Sequence, residues 1–438
     1  MGQIATTLIH PCIELEQSDL YEIRCDLVDP SFFCLGSPVI YTDPDASEAR
    51  LCELAALGPD YLTIDGTHTC FEKLKKTYPN VKLIAAIHDF DKTPENLISL
   101  FEMLDQLPVD CIKIATWARS SLDALRMLQT VKQFKTEKKI IGLCMGPLGE
   151  VTRILAPLFG SSWTYAAPKL GEEGAPGQLT IGELRTIYRY NTLSSKTLLY
   201  GLIGDPISHS LSHISHNALF DRLGVDGVYV KLCVKKEEVK TFLPFAFSLG
   251  FLGFSVTMPL KECVGEFLGR EAVNTVSNQY RGWNTDGEGA VWVIDFKEKT
   301  VVVIGAGGVA VGIARAAYAQ GAKLIIVNRT FERAVVLAKK VEGEAFALEN
   351  FSEITKKKYD IVINATSQDD PVPYFFPLRG TLVVDVNNRP SPFLQKAVGC
   401  RTVSGKEIFM HQAACQFQHW MGYDRCIIKE LFEEILCG

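Results

Sequence analysis

Four consecutive β-branched apolar residues, Val301-Val302-Val303-Ile304, run into Gly305-Ala306-Gly307-Gly308-Val309-Ala310 and then into a helix-forming stretch. This strand, glycine turn and helix start constrain the chain more than any other segment. The first glycine permits a tight turn, the second lets backbone approach a pyrophosphate, and Ala310 takes the small third position where helix and strand pack closely. A helix N-terminus placed there favours negative charge through its unpaired N–H groups and its macrodipole. An ordinary tight turn is the bland alternative for the glycines alone. The next strand weighs against it: Lys323 to Val327 ends on Asn328-Arg329-Thr330, with Arg333 one helical turn on. NAD-selective enzymes place Asp or Glu at that strand end to hold the ribose 2′-hydroxyl, whereas arginine accommodates a 2′-phosphate. Two arginines and no carboxylate at the strand end read as NADP. The competing reading is a pair of arginines on a solvated helix start.

At 438 residues the chain exceeds one ordinary core, so two or three domains are expected. Its 47% apolar and 22% charged residues fit a globular composition. No apolar run approaches the roughly 18 residues of a membrane helix, and the N-terminus lacks the basic start and apolar core of a signal peptide. No membrane partner and a cytoplasmic location are therefore expected. The 13 cysteines form no C-x-x-C pair, and their odd number suits reduced thiols better than a disulfide framework. A net charge of −6 without a basic block argues against nucleic acid. Small anionic substrates would then need local arginines and lysines. Oligomeric state is not specified by the sequence.

In the first half, eight short apolar segments alternate with helical patterns: Ile4 to Ile9, Leu20 to Val28, Pro38 to Thr42, Tyr61 to Ile64, Val81 to Ile87, Cys111 to Ala115, Lys139 to Cys144 and Trp163 to Ala167. Stretches such as Pro94 to Leu107 and Ser120 to Phe134 carry apolar residues at i, i+3, i+4 and i+7. Eight strands alternating with helices describe an α/β chain beginning with a (β/α)8 barrel, whose chemistry belongs at strand C-termini. Glu22 and Arg24 alternate along the second strand and Asp26 follows, so three charges are expected to point into the barrel. Buried charges are costly unless they pair or meet a ligand. His88 closes strand five. Lys113 sits amid Cys111-Ile112-Lys113-Ile114-Ala115, where a solvated lysine has no place. A desolvated lysine has a lowered pKa and becomes a nucleophile toward carbonyls. Lys113 and His88 on adjacent strands would supply a nucleophile and a proton carrier. The alternative is a purely structural Lys113–Glu22 ion pair, and no spacing of ligands points to a metal.

Tyr21-Glu22-Ile23-Arg24, Ile87-His88-Asp89-Phe90, the Lys113 strand, Met145-Gly146 with Arg153, and Ala175-Pro176-Gly177-Gln178 resemble type I 3-dehydroquinate dehydratases from Leu8 to about Tyr190. The resemblance implies an imine between Lys113 and a substrate ketone, with His88 moving protons. It also implies Arg153, Gln178, Glu22 and Arg24 as substrate contacts. Two positions depart from the family: Thr42-Asp43-Pro44 replaces an arginine after the third strand, and Gly174 stands where Ser or Thr is usual.

Thr180 to Tyr190 reads as a closing helix, and polar Asn191 to Thr197 as a linker too brief for free-ranging domains. A new strand, Tyr200 to Ile203, leads into Gly204-Asp205-Pro206-Ile207-Ser208-His209-Ser210-Leu211-Ser212, where Ser210 and Ser212 alternate and can both face a carboxylate. His209, His213 and His216 lack a spaced Cys or carboxylate to complete a zinc site. Thr257 and Lys261 lie at a strand exit, followed by Ala272-Val273-Asn274-Thr275 and Asn284-Thr285-Asp286-Gly287. Lys261 could be a surface lysine, and Asp286 only a helix N-cap. Together these segments resemble shikimate dehydrogenase from Leu198 to about Tyr423. The resemblance implies that Ser210, Ser212, Asn274, Asp286 and Gln412 hold substrate, with Thr257 beside them, and that Lys261 and Asp286 transfer the proton. It implies that Gly305 to Ala310 (Gly305, Ala306, Gly307, Gly308, Val309, Ala310), Asn328, Arg329, Thr330, Arg333 and Thr366 bind NADP. A helix from His411 to Trp420 would deliver Gln412. Ser255 and Asn387-Asn388 depart from the family.

The expected layout is a barrel over 1–190, a linker over 191–197, a substrate domain over 198–296 completed by helices in 407–438, and a Rossmann NADP domain over 297–406. Small-molecule substrates are the expected partners: 3-dehydroquinate, 3-dehydroshikimate and shikimate. Two rivals stand beside this reading, a ligand sensor on an inactive barrel and an NAD-linked quinate dehydrogenase.

Overall fold

Parallel strands buried on both faces read as apolar runs, and each expected strand of the first half is present in the computed structural model, which describes residues 2–11, 15–208, 210–387, 389 and 391–437. Backbone contacts divide the chain into two compact units. The first is Met1–Leu202, Ile207–Val234 and Thr241–Phe251, and the second is Ile203–Pro206, Lys235–Lys240 and Leu252–Gly438.

The first unit opens with strands β1 (Ile4–Leu8), β2 (Leu20–Arg24), β3 (Val39–Thr42), β4 (Tyr61–Asp65), β5 (Lys82–Asp89), β6 (Cys111–Trp117), β7 (Lys139–Met145) and β8 (Thr164–Ala166). They pair in the order β7-β6-β5-β4-β3-β2-β1-β8. The ends of that order meet where Ser162 N–H donates to the Ile140 carbonyl at 2.8 Å, giving a nearly closed barrel. Helices α1 (Glu48–Ala56), α2 (Phe71–Thr77), α3 (Leu97–Asp105), α4 (Ser121–Gln133), α5 (Glu150–Phe159) and α6 (Ile181–Thr186) follow the strands. Alternation along each strand decides which side chains line the interior. In β6, Ile112 and Ile114 join the apolar layer that holds Leu97 and Phe101 of α3. Cys111 and Ala115 join the interior layer with Ile84, Ile141 and Tyr165. Lys113, between them, is therefore obliged to face inward.

Two expectations change here. The second strand ends at Arg24, four residues early, and Asp26 is exposed in the following turn, bonded to the Arg24 guanidinium at 2.8 and 2.6 Å. Of the three charges expected to face inward, only Glu22 and Arg24 line the barrel cavity. The closing helix stops at Thr186 because Tyr188 and Tyr190 both turn into the core around Arg189 at φ +51. Asn191 then donates to the Gly2 carbonyl at 3.0 Å and to Asp19 at 3.2 Å, tying the start of the 191–197 segment to the barrel.

The chain continues through β9 (Leu198–Gly204), α7 (Ser212–Arg222), β10 (Gly227–Cys233), α8 (Val239–Leu249), β11 (Phe251–Val256), α9 (Lys261–Phe267), β12 (Thr275–Ser277), β13 (Gly282–Trp283) and α10 (Thr285–Val293). β11, β12 and β13 are antiparallel, with Ser255 opposite Thr275 and Thr275 opposite Trp283.

A doubly wound domain follows: β14 (Thr300–Ile304), α11 (Gly308–Ala319), β15 (Lys323–Asn328), α12 (Phe331–Lys340), β16 (Glu344–Ala347), α13 (Phe351–Ile354), β17 (Ile361–Asn364), β18 (Leu382–Asp385), α14 (Pro392–Gln395) and β19 (Arg401–Val403). Its strands order β16-β15-β14-β17-β18-β19, all parallel. The order reverses beside β14, the switch point at which such sheets bind ligands. Two last helices, α15 (Gly405–Met421) and α16 (Arg425–Cys437), complete the second unit, α15 starting earlier than the expected His411 behind a Ser404/Glu407 capping box. No described helix is long and apolar enough to cross a membrane.

Candidate active sites

The barrel holds a cavity of about 280 Å³ at its strand C-termini, lined by Glu22, Arg24, His88, Lys113, Arg153 and Gln178 among others, so all six expected residues of this half converge. Lys113 is 6% exposed. Its Nζ lies 3.6 Å from Glu22 Oε1 and 4.0 Å from the Tyr165 ring centroid. Burial lowers the Lys113 pKa, the Glu22 carboxylate pulls it back up, and the Arg153 charge lowers it further. For Glu22, burial works toward protonation, but Lys113 and hydrogen bonds from Thr7 at 2.8 Å and Thr42 at 2.9 Å outweigh it, and the carboxylate stays ionised. The structural ion pair that rivalled a catalytic Lys113 is thus present, inside the cavity and not apart from it.

His88 lies two residues beyond Ala86, the register partner of Lys113, and so faces the same space. Burial and the Lys113 charge push its pKa down to about 4, which leaves a neutral imidazole at pH 7. Arg153, on α5, is 1% exposed. Its contacts are long, 3.5 Å to the Tyr165 carbonyl and 3.4 Å to that of Pro176, and its Nε has no protein partner. Burial lowers its pKa to about 10, still a cation at neutral pH. A buried, under-bonded guanidinium in a cavity is complementary to an anionic substrate group.

Both departures from the family pattern have a local counterpart. A Cβ on Gly174 would stand 2.4 Å from Thr7 Cγ2, so the Thr7 methyl already fills the space of a side chain there. The Thr7 hydroxyl accepts from Gln178 Nε2 at 3.1 Å, while Gln178 Oε1 accepts from Gly174 N–H at 2.8 Å. At the end of the third strand the Thr42 hydroxyl lies 2.9 Å from both Glu22 Oε1 and Thr63 Oγ1, and Asp43 turns to Arg50 at 3.5 Å. Asp65, Tyr165 and Thr7 were not singled out from sequence. Asp65 carried a signal, an acid at the end of an apolar strand.

A second cavity, of about 400 Å³, lies in the other unit, lined by Thr257, Lys261, Gly307, Gly308, Val309, Arg333 and Thr366 with neighbouring residues. Lys261 opens α9 and Asp286 lies in the first turn of α10, with Nζ donating to Oδ2 at 2.6 Å and only 12% and 9% of the two side chains exposed. This answers both bland alternatives: Lys261 is not a surface lysine, and the N-cap of α10 is Asn284, accepting from Gly287 N–H at 3.4 Å. A Cβ on Gly308 would come within 2.8 Å of Lys261 Cβ, so the glycine turn and the lysine stem touch. Gly308→Ala is expected to displace Lys261 and, where Lys261 takes part in the chemistry, to lower kcat about 10²-fold, a cost that a misplacement of about 1 Å can carry. An unchanged kcat would show that Lys261 does not need its present position.

The nucleotide turn fits its proposed ligand. Gly305 adopts φ +120 with space for no Cβ, since one would stand 2.9 Å from the Ala365 carbonyl. Gly307 caps the 12-residue α11 without a side chain and has open space above it, leaving backbone N–H groups available to a phosphate. Ala310 is fully buried, as its packing role requires, and Ala306 is nearly so. Asn328 bonds the Thr330 carbonyl at 2.9 Å, and Thr366 donates to Asn364 at 2.8 Å. Arg329 is exposed. Arg333 is not alone: Glu262 Oε1 accepts from its Nη2 at 2.7 Å, so a carboxylate does stand at this end of the cleft, supplied by α9.

Asn274 is buried, its Oδ1 taken by Thr285 N–H at 2.7 Å. Gln412 lies on α15, half-buried. Gln416, one turn on and missed from sequence, is 1% exposed and bonds Ser255 at 3.1 Å and Thr275 at 2.9 Å. That glutamine partner is what the Ser255 hydroxyl uses where the family prefers Asn. In the first unit, Ser210 Oγ donates to Ser212 Oγ at 3.2 Å, so the two hydroxyls do stand together. His209 and Asn388 lie outside the described residues. His213 and His216 are buried and stack on Tyr188 and Tyr229.

Residues 40–195 match the type I 3-dehydroquinase family, 202–277 the shikimate dehydrogenase substrate binding domain, and 290–374 the shikimate/quinate 5-dehydrogenase family. The chain is 35% identical over 396 residues to the shikimate biosynthesis protein AroDE of Chlamydia pneumoniae, covering 85% of this chain and 80% of that one. It is 33% identical over 428 residues to the chloroplastic bifunctional 3-dehydroquinate dehydratase/shikimate dehydrogenase of Arabidopsis thaliana, covering 87% and 70%. Its second half is 35% identical over 254 residues to shikimate dehydrogenase (NADP(+)) of Thermococcus kodakarensis, covering 52% and 93%. A lysine buried in a barrel cavity, a lysine–aspartate pair beside a nucleotide turn and relatives spanning both halves lead to one conclusion: the chain belongs to the family of bifunctional 3-dehydroquinate dehydratase/shikimate dehydrogenase enzymes.

Proposed function

We propose that the barrel dehydrates 3-dehydroquinate through an imine on Lys113 and that the second half reduces the product, 3-dehydroshikimate, to shikimate with NADPH. The observation that carries the first step is the buried Lys113 amine sharing a cavity with a neutral imidazole. The amine adds to the ketone and water leaves as the C=N bond forms. The protonated imine acidifies the adjacent C–H, His88 takes that proton, and the leaving hydroxyl departs as water with a proton returned by the imidazolium. Hydrolysis of the imine frees the enone and Lys113. Glu22 stabilises the iminium charge, Arg153 holds the substrate anion, and Gln178 and Arg24 fix the ring.

In the second half, bound NADPH supplies the hydride, and the Lys261–Asp286 pair delivers the proton to the reacting oxygen. Ser210 and Ser212 are assigned to the substrate carboxylate, and Thr257, Asn274 and Gln412 to its hydroxyls. The turn from Gly305 to Ala310 would take the pyrophosphate, Asn328, Arg329, Thr330 and Arg333 the 2′-phosphate side, and Thr366 the nicotinamide side.

A coupled assay tests the whole: 3-dehydroquinate with NADPH should consume NADPH, and a lack of consumption despite turnover of added 3-dehydroshikimate would refute the barrel half. Its pH dependence is informative. Lys113 must be neutral to attack, and its pKa is lowered from 10.5, so kcat/KM for dehydration should rise with pH and level off below that value. His88 is already deprotonated above about 4, so no inflection belongs near pH 6.5. An inflection there that vanished in His88→Asn would contradict the assigned protonation states.

A further inference from the structure

Arg329 follows the end of β15 and Arg333 lies in the first turn of α12, beside the position where the 2′-substituent of a dinucleotide is read, and Arg333 is already held by the Glu262 carboxylate at 2.7 Å. Glu262 and Arg333 are 71 residues apart in sequence and both line the nucleotide cavity. A carboxylate is an odd neighbour for a site meant to receive a phosphate. It cannot be dismissed as a distant surface partner, since Glu262 follows Lys261 directly on α9. Lys236 lines the same cavity and does not remove the conflict, because a phosphate on Arg333 would still face the Glu262 charge.

We propose that Glu262 is a specificity-determining residue for the nucleotide: it competes with a ribose 2′-phosphate for Arg333 and lowers the preference for NADP over NAD. The inference rests on the reading that Arg333 faces the 2′-substituent. A 2′-phosphate must displace Glu262 from the guanidinium and then lie near its charge. A free 2′-hydroxyl meets neither obstacle, and an acidic side chain is what such a hydroxyl is bonded by in NAD enzymes. With both side chains about half exposed, 53% and 52%, the pair is weak enough to exchange.

Dissociation constants of NADP+ and NAD+ measured by calorimetry on the full-length chain test this without relying on turnover. Glu262→Gln, which keeps the shape and removes the charge, should tighten NADP+ binding about 3- to 10-fold and leave NAD+ unchanged or weaker. Once Arg333→Ala is in place, adding Glu262→Gln should change NADP+ affinity less than it does in the parent, because only the repulsion between the Glu262 charge and the phosphate is left to relieve. If Glu262→Gln left the ratio of the two constants within twofold of the parent, the competition would be refuted. Failure of the underlying reading looks different: Arg333→Ala would leave NADP+ affinity intact, which would mean that this arginine does not meet the phosphate.

Discussion

Lys113→Ala should abolish dehydration of 3-dehydroquinate, with kcat down by on the order of 10⁴ or more, as expected when a covalent nucleophile is lost, while NADPH-dependent reduction of 3-dehydroshikimate continues. The physical cause is the absence of a replacement. Among the groups lining the barrel cavity, Arg24 and Arg153 are guanidiniums that stay protonated, and the His88 imidazole is the group proposed to carry the proton. Borohydride added with 3-dehydroshikimate should convert the imine to a stable secondary amine on Lys113, seen as a mass increase on one peptide and absent in the variant. The reductase half provides an internal control for enzyme concentration. Removal of the ammonium leaves Glu22 buried, yet its bonds from Thr7 and Thr42 persist, so the carboxylate is not wholly stranded. Retained dehydration, or labelling at another lysine, would remove Lys113 from the reaction.

The reason Lys113 could be found from sequence is that a charge in the middle of an apolar strand has no cheap explanation. The same logic located the strands, whose apolar runs end at polar turns, and the glycine turn, whose backbone geometry demands small residues. What stayed hidden was whatever depends on distant segments meeting. Glu262 is 71 residues from Arg333, and nothing near Arg333 in sequence announces a carboxylate from α9. Thr7 and Gly174 are complementary in volume, which shows only when a Cβ at 174 is seen to collide with the threonine methyl. Asn284 and Asp286 are both good N-cap residues. Only the start of α10 decides that Asn284 caps and Asp286 is left to pair with Lys261. The strand expected through Val28 stopped at Arg24 because Asp26 gains more from solvent and its arginine than from a barrel interior.

The Lys261–Asp286 pair carries the second large effect. Lys261→Ala should lower the kcat for reduction of 3-dehydroshikimate by about 10² to 10⁴, the range contributed by a positioned proton carrier, and leave dehydration by the barrel untouched. It should also destabilise the second unit, because removing one member of a buried pair strands the other charge at a cost of about 3–5 kcal/mol. Asp286→Asn should do the same to kcat with a smaller loss of stability, since the amide is neutral and can still bond. If the two residues act as one proton-transfer unit, the double variant Lys261→Ala/Asp286→Asn should be no slower than the worse single variant and more thermostable than Lys261→Ala, the uncompensated carboxylate having gone. Rate losses that multiply in the double variant would mean two independent roles, with one residue binding substrate and the other moving the proton. Equal KM for 3-dehydroshikimate in wild type and Lys261→Ala would assign Lys261 to the transition state alone, whereas a rise in KM matching the fall in kcat/KM would make it a binding residue. Since both side chains are nearly buried and 2.6 Å apart, the unit reading is the one the geometry favours.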